Sequence, residues 1–129
     1  MTTPDTANTK PSPVIHWQLV TPDPEAAQSF YTGLFGWTCD DDNALRYRRL
    51  ASEGEKGQGI GGGIWPAPPE ANAFVQLHIH VDDLPAAVER AKELGANVIL
   101  PPQELPEGQS MAVLHDPQGV PFALTTGEG

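Results

Sequence analysis

Two stretches of the chain alternate between polar and apolar residues, and each is followed by a helical pattern. In residues 75–81 the odd positions are apolar, whereas the even positions are Gln76, His78 and His80. Because strand side chains point to opposite faces with a period of two, this stretch predicts a strand with one apolar and one polar face. In residues 84–91 the apolar residues recur at i, i+3, i+4 and i+7, which predicts a helix.

The ends of this helix carry residues that typically begin and end helices. Asp83 suits an N-cap, Pro85 suits the first turn, and Gly95 suits the left-handed residue that follows a helix. Residues 14–36 repeat the arrangement of a strand, a capped helix with Asp23 at its start, and a terminal glycine. Such a repeat predicts two copies of one supersecondary unit.

Short strands are predicted after each helix, over residues 37–39, 44–51, 58–65, 97–100, 110–115 and 120–126. The DPQG sequence of residues 116–119 predicts a tight turn between the last two of them. The chain then consists of two tandem β-α-β-β-β modules, over residues 14–66 and 73–126, joined by a proline-rich linker. We expect an α+β fold in which the two modules form a curved, cleft-enclosing mixed β-sheet.

The faces of the two leading strands predict where a ligand would bind. Each sheet must bury one face beneath its helix, and the apolar faces are the candidates. These faces carry Ile15, Trp17 and Leu19 in the first module and Val75, Leu77, Ile79 and Val81 in the second. The opposite faces would then line the cleft with polar side chains: His16, Gln18, Gln76, His78 and His80.

Composition and charge exclude several classes of partner. The chain has 129 residues, with 17 acidic and 7 basic ones and a net charge of −10. Nucleic-acid binding needs a basic surface, so we expect no nucleic-acid partner, and no apolar run is long enough for a membrane partner. The single cysteine, Cys39, excludes an intramolecular disulfide and favours a reducing compartment. Residues 1–13 are polar without a signal-peptide core, which predicts a disordered tail on a cytoplasmic protein whose one domain spans 14–129.

Two short motifs are better explained by structure than by their usual chemistry. Residues 57–62 match the glycine fingerprint G-x-G-x-x-G, but the following Gly-Ile-Trp-Pro sequence begins a helix poorly, so we reject dinucleotide binding. Residues 78–83, HIHVDD, approach the HxHxDH zinc motif of metallo-β-lactamase-fold hydrolases. The final residue is Asp83 instead of histidine, and the chain is short for that fold, so histidines on a half-exposed strand are the preferred interpretation.

The whole chain after Pro13 resembles the vicinal oxygen chelate superfamily. The matching segments are HWQLVTPDPEAAQSFYTGLFGW, QLHIHVDDLPAAVERAKELGANV and VLHDPQGVPFALTT. That superfamily includes glyoxalase I, extradiol dioxygenases, and fosfomycin-resistance and bleomycin-binding proteins. The resemblance implies paired β-α-β-β-β modules and, in many members, a divalent metal held by four side chains.

By resemblance, the metal ligands come from the first and last strands of each module. The two first-strand positions fall on His16 and Gln76, and the last-strand position of the second module falls on Ala123. The last strand of the first module, over residues 59–65, has no acid, histidine or glutamine. One imidazole and one amide bind hard divalent ions weakly, so we expect no metal cofactor. If a metal does bind, His16 and Gln76 are its expected ligands.

Three hypotheses for function follow from the resemblance. The first is a small-molecule binding protein without a catalytic metal, whose ligand contacts the five polar cleft residues, with Trp65 and Phe122 as apolar walls or as core residues. The second is a divalent-metal-dependent lyase or dioxygenase of the same superfamily. The third is a metal-free enzyme that uses a cleft histidine as general base. The resemblance also implies a homodimer.

Overall fold

Two β-α-β-β-β modules follow one another along the chain, as the repeat predicts. The structure is a computed structural model and describes residues 10–127. The first module contains β1 (Val14–Thr21), α1 (Pro24–Phe35), β2 (Thr38–Asp40), β3 (Arg48–Ala51) and β4 (Gly62–Pro66). The second contains β5 (Phe74–His80), α2 (Leu84–Glu93), β6 (Asn97–Glu104), β7 (Ser110–His115) and β8 (Pro121–Thr125). The α+β class and the module order are therefore confirmed.

The described chain divides into two compact units. Residues 15–78 form the first unit, and residues 79–127 form the second together with residues 10–14. Residues 1–9 of the predicted disordered tail lie outside the described residues. Near the end of that predicted tail, the carbonyl of Pro13 accepts a hydrogen bond from the backbone N–H of His80 at 2.9 Å.

The predicted helix boundaries are confirmed at both helices. The side chain of Asp23 accepts a hydrogen bond from the backbone N–H of Ala26, and Asp83 accepts one from Ala86, each at 3.1 Å. These bonds satisfy N–H groups that have no partner within the first helical turn. At the end of α1, Gly36 adopts a φ of 74°, which a residue without a Cβ reaches at no steric cost.

The first unit has a mixed sheet in the strand order β2-β3-β4-β1-β5. Strands β1 and β4 are parallel, whereas β2–β3 and β3–β4 are antiparallel. The glycine-rich strand begins at Gly62, later than the predicted residue 58, and Gly59 within the predicted strand has a φ of 78°, which is not a strand conformation. Its register pairs Gly63 with Gln18 on one side and with Arg49 on the other.

Helix α1 packs against β2 and β4 and covers the core of the first unit. Leu50 and Ile64 are the deepest residues there, with 2% and 1% of their surface exposed. The ring of Trp17 lies on the same side, 5.5 Å from the ring of Trp37 between centroids. The predicted apolar face of β1 is therefore the face that packs under α1.

The prediction for the faces of β5 is wrong at two apolar residues. Val75 and Leu77 are 57% and 46% exposed, whereas Gln76 and His78 on the opposite face are only 4% and 8% exposed. Helix α2, the helix that the prediction placed over this face, packs against β6, β7 and β8 instead. Alternation gives two faces but does not say which face a helix reaches.

The second unit has its own core between α2 and the antiparallel strands β6, β7 and β8. The core contains Leu84 and Val88 of α2 with Ala112, Leu114 and Leu124 of the sheet. The predicted DPQG turn is confirmed, since Asp116 Oδ1 accepts bonds from the N–H groups of Gln118 and Val120. Within residues 10–127, no helix combines the length and apolar character needed to cross a membrane.

Candidate ligand-binding site

Polar side chains gather on one face of the sheet in the first unit. On β1 this face carries His16 and Gln18, and the strand register places Arg49 and Trp65 on the same side. The His78 ring lies 5.2 Å from the His16 ring between centroids, and alternation puts Gln76 beside it. We call this surface the polar face; it is defined by His16, Gln18, Arg49, Trp65, Gln76 and His78.

Tyr47 lies across the polar face and contacts two of its rings. Its hydroxyl is 2.8 Å from Nε2 of His16, and its ring centroid is 6.0 Å from that of Trp65. The side chain of Asn43 holds the backbone of Tyr47 in place with two bonds of 2.8 Å. Tyr47 N–H donates to Asn43 Oδ1, and Asn43 Nδ2 donates to the Tyr47 carbonyl.

The two adjacent glycines of β4 make room for aromatic rings on both faces of the strand. A Cβ added to Gly63 would overlap the ring and hydroxyl of Tyr47, whereas one added to Gly62 would overlap the ring of Trp17. Glycine is therefore required here for close approach. This packing explains why β4 contains two adjacent glycines. Because glycine has no side chain, the register of β4 cannot be deduced from the alternation of polar and apolar residues.

Burial keeps both histidines of the polar face neutral. It lowers the pKa of His16 to about 4, helped by the neighbouring His78 and by the charge of Arg49. Burial alone lowers the pKa of His78 to about 4. The pKa of Tyr47 is raised, because burial outweighs the opposing effect of Arg49. At neutral pH the face therefore presents two uncharged imidazoles and a protonated tyrosine hydroxyl.

One ring nitrogen on the polar face has no hydrogen-bond partner. Nε2 of His78 is buried and contacts no donor or acceptor among residues 10–127. Leaving a buried polar group without a partner costs about 1–3 kcal/mol. Native proteins satisfy nearly all such groups, so this nitrogen is an exception that needs a physical explanation.

The polar face does not fit the metal that the superfamily resemblance implies. Nε2 of His16 already contacts the Tyr47 hydroxyl, and the residue of β4 beside Gln18 is Gly63, which has no side chain. Ala123, at the last-strand position of the second module, is fully buried. In the part of the chain that the structure describes, no three His, Cys, Asp or Glu residues are grouped to hold an ion. Hard divalent ions prefer anionic oxygen ligands, which this donor set lacks.

Two of the predicted site residues lie in the second unit. His80 has its Nδ1 atom 2.7 Å from the carbonyl of Gly127 and its Nε2 atom 3.0 Å from Asp82 Oδ1. Phe122 packs against the α2 core, the alternative role that we considered for it. The other five predicted residues, His16, Gln18, Gln76, His78 and Trp65, share the polar face of the first unit.

The segment before β3 contributes Tyr47 to the polar face, a role that was not predicted from the sequence. Tyr47, Asn43 and Arg49 were assigned no role. The signal that could have found Tyr47 is its spacing of two from Arg49, which places both on one side of an extended segment. No sequence pattern indicates that this side faces His16.

Comparison with solved structures supports the fold. Methylmalonyl-CoA epimerase of Streptomyces coelicolor, in complex with 2-nitronate-propionyl-CoA, superposes with a TM-score of 0.63 at 17% identity, covering 90% of this chain and 97% of that one. The epimerase of Mycobacterium tuberculosis gives a TM-score of 0.62 at 17% identity, covering 86% and 85%. These chains share the vicinal oxygen chelate fold, so the predicted fold class is confirmed.

The sequence itself identifies the family. A family profile described as a glyoxalase-like domain matches residues 15–125, and the chain therefore belongs to the glyoxalase-like domain family. CFP32 of Mycobacterium tuberculosis, a protein named provisionally as a glyoxylase, is 31% identical over 110 residues, which cover 82% of this chain and 42% of CFP32. The anthracycline biosynthesis protein DnrV of Streptomyces peucetius is 30% identical over 126 residues, covering 84% and 44%. The chain spans less than half the length of these relatives.

Proposed function

We propose that this protein binds a small organic molecule on the polar face without a catalytic metal. The observation that carries the proposal is the buried, unpartnered Nε2 atom of His78. A ligand atom hydrogen-bonded to this nitrogen would remove the cost of its burial. Binding would then satisfy a group that folding leaves unsatisfied.

The other groups of the polar face are suited to binding an uncharged or conjugated ring system of a ligand. Neutral imidazole and a tyrosine hydroxyl each donate and accept hydrogen bonds. Trp65 is 38% exposed and adds a flat apolar surface beside Tyr47. The combination of a few polar groups with aromatic rings is typical of small-molecule sites.

Binding explains the polar face better than the two enzymatic hypotheses do. The metal-dependent hypothesis lacks anionic ligands at the positions that the resemblance assigns. The general-base hypothesis needs a basic imidazole, but burial lowers the pKa of His16 and of His78 to about 4. General bases work best with a pKa near the operating pH, so these rings are weak bases at pH 7.

A ligand panel on chelator-treated protein tests the proposal. Because one relative is named for anthracycline biosynthesis, the panel includes daunorubicin as well as flat aromatic acids and amides. We expect at least one probe to raise the unfolding temperature in a saturable manner, because ligand that binds only the native state stabilises it. Its dissociation constant is then measured by isothermal titration.

Two tyrosine variants form a matched pair for this test. Tyr47→Phe removes the hydroxyl beside His16, whereas Tyr31→Phe removes one from α1, where the Tyr31 ring stacks on Trp37. We expect Tyr47→Phe to weaken the bound probe by about tenfold and Tyr31→Phe to leave its affinity unchanged, a tenfold change being about 1.4 kcal/mol. Equal effects, or no binding by any probe, would contradict the proposal.

A further inference from the structure

We infer that the ligand of the polar face carries a carboxylate, and that Nε2–H of His78 and the guanidinium of Arg49 recognise it. This inference rests on the proposed function and adds the chemical class of the ligand. It follows from three features of the first unit: an unsatisfied nitrogen, the position of a cation, and the sign of the local charge.

The unsatisfied nitrogen requires a partner of definite polarity. A neutral imidazole carries its proton on one nitrogen, so Nε2 of His78 is either a donor or an acceptor. Which of these two tautomers is more stable depends on the charges near the ring. A negatively charged ligand oxygen beside this nitrogen would favour the tautomer with the proton on Nε2, and the resulting bond would be charge-assisted.

Arg49 is the cation on the same side of the sheet. It pairs with Gly63 across β3 and β4, and Gly63 pairs with Gln18 across β4 and β1. Directly opposite residues in neighbouring strands point to one face, so the Arg49 side chain belongs to the polar face. Its charge contributes a lowering of the pKa of both His16 and Tyr47, although burial raises the pKa of Tyr47 overall.

Arg49 brings a positive charge to the polar face, although the chain as a whole is acidic. At neutral pH the charge that acts on His16 is that of Arg49, because the pKa of His78 is about 4 and its ring is neutral. Among residues 10–127, no carboxylate shifts the pKa of His16, Tyr47 or His78. An anion is the ligand charge that such a site stabilises.

A pair of isosteric ligands tests this inference directly. 2-Naphthoate and 2-naphthamide share a flat ring system and differ in the charge of one group. Titrations at pH 7 with a chelator present should give a dissociation constant for naphthoate at least about tenfold lower than that for naphthamide. In wild-type protein, ¹⁵N NMR should find the proton of the His78 ring on Nε2 in the naphthoate complex.

Two arginine variants separate a specific contact from general electrostatics. Arg49→Gln should weaken naphthoate by about tenfold and leave naphthamide unchanged. Arg46→Gln is the control, because the Arg46 side chain is 75% exposed and pairs with Asp41 on the neighbouring loop. It should change neither affinity. An equal loss in both variants would mean that net charge alone controls binding, and would overturn the inference.

The remaining outcomes distinguish this inference from the proposed function. If naphthoate and naphthamide bind equally, or if only neutral probes bind, the carboxylate inference fails and the proposed function stands. If naphthoate, naphthamide and daunorubicin all fail to bind chelator-treated protein, both fail. A naphthoate complex in which Nε2 of His78 carries no proton would also overturn the inference.

Discussion

The hydroxyl of Tyr47 lies 2.8 Å from Nε2 of His16, between residues separated by 31 positions in the sequence. Tyr47 reaches His16 because Asn43 fixes its backbone and because Gly63 leaves space for its ring. This contact occupies one of the two ring nitrogens through which His16 could bind a metal. The first unit therefore has the superfamily fold, but its polar groups are arranged differently from the metal site that the resemblance implies.

Substitution of Gly63 should disturb this contact more than any other small change in β4. In Gly63→Ala the added Cβ overlaps the Tyr47 ring, which must move away from His16. We expect a loss of about 1–3 kcal/mol in the free energy of unfolding, as for other overpacked sites. Urea denaturation measures this loss.

The control for this variant is Gly33→Ala in α1. A Cβ at Gly33 meets nothing within 4 Å, and alanine favours a helix over glycine by about 0.5–1 kcal/mol. We expect this variant to be slightly more stable than the wild type. If both variants behave alike, the ring of Tyr47 does not pack against Gly63.

Asn43 should act on the site through the backbone of Tyr47. Asn43→Ala removes both bonds to that backbone and should lower the free energy of unfolding by about 1–3 kcal/mol. Asn43→Asp retains the acceptor for Tyr47 N–H and loses the donor, so its loss should be smaller. Equal losses in the two variants would show that the Tyr47 N–H bond contributes little.

The pH dependence of stability should reflect the two neutral histidines. Their pKa values lie near 4 in the folded protein and near 6.5 when unfolded, so the unfolded chain binds more protons between these values. Stability should be fully present above about pH 6.5 and should fall as the pH drops toward 4, by about 3 kcal/mol for each ring. Denaturation at pH 7 and pH 5 measures the fall, and NMR titration assigns it. Titration of either ring near pH 6.5 in the folded protein would refute this account.

The fold could be predicted from the sequence because its signals are local. The caps at Asp23 and Asp83, the glycine after each helix and the alternation in β1 and β5 each depend on neighbouring residues. The faces of β5 could not be predicted, because the burial of Val75 and Leu77 depends on which strands α2 packs against. Tyr47 was missed for a similar reason, since its role depends on a loop conformation held by side-chain bonds.

The predicted homodimer is untested, and the exposed apolar residues suggest where to test it. Val75 and Leu77 are exposed on β5, and Phe30, Leu34 and Phe35 are 55–60% exposed on α1. Large exposed apolar surfaces often mark protein interfaces. We expect sedimentation to give a dimer that Leu77→Asp converts to monomer.

Val120→Asp is the matched control for this substitution. Val120 is 55% exposed in the turn between β7 and β8, in the second unit. We expect this variant to sediment like the wild type. A monomeric wild-type protein would refute the homodimer, and monomers from both variants would argue against β5 as the interface.

The most direct test of the central claim is ligand affinity with and without metal. The dissociation constant of 2-naphthoate is measured for chelator-treated protein and again after incubation with Mn²⁺, Fe²⁺, Ni²⁺ or Zn²⁺, with metal content determined by elemental mass spectrometry. We predict the same affinity in every sample and no stoichiometric metal. About one metal ion per chain, together with binding that appears only in the metal-loaded protein, would contradict a ligand site built from His16, Tyr47 and His78 alone.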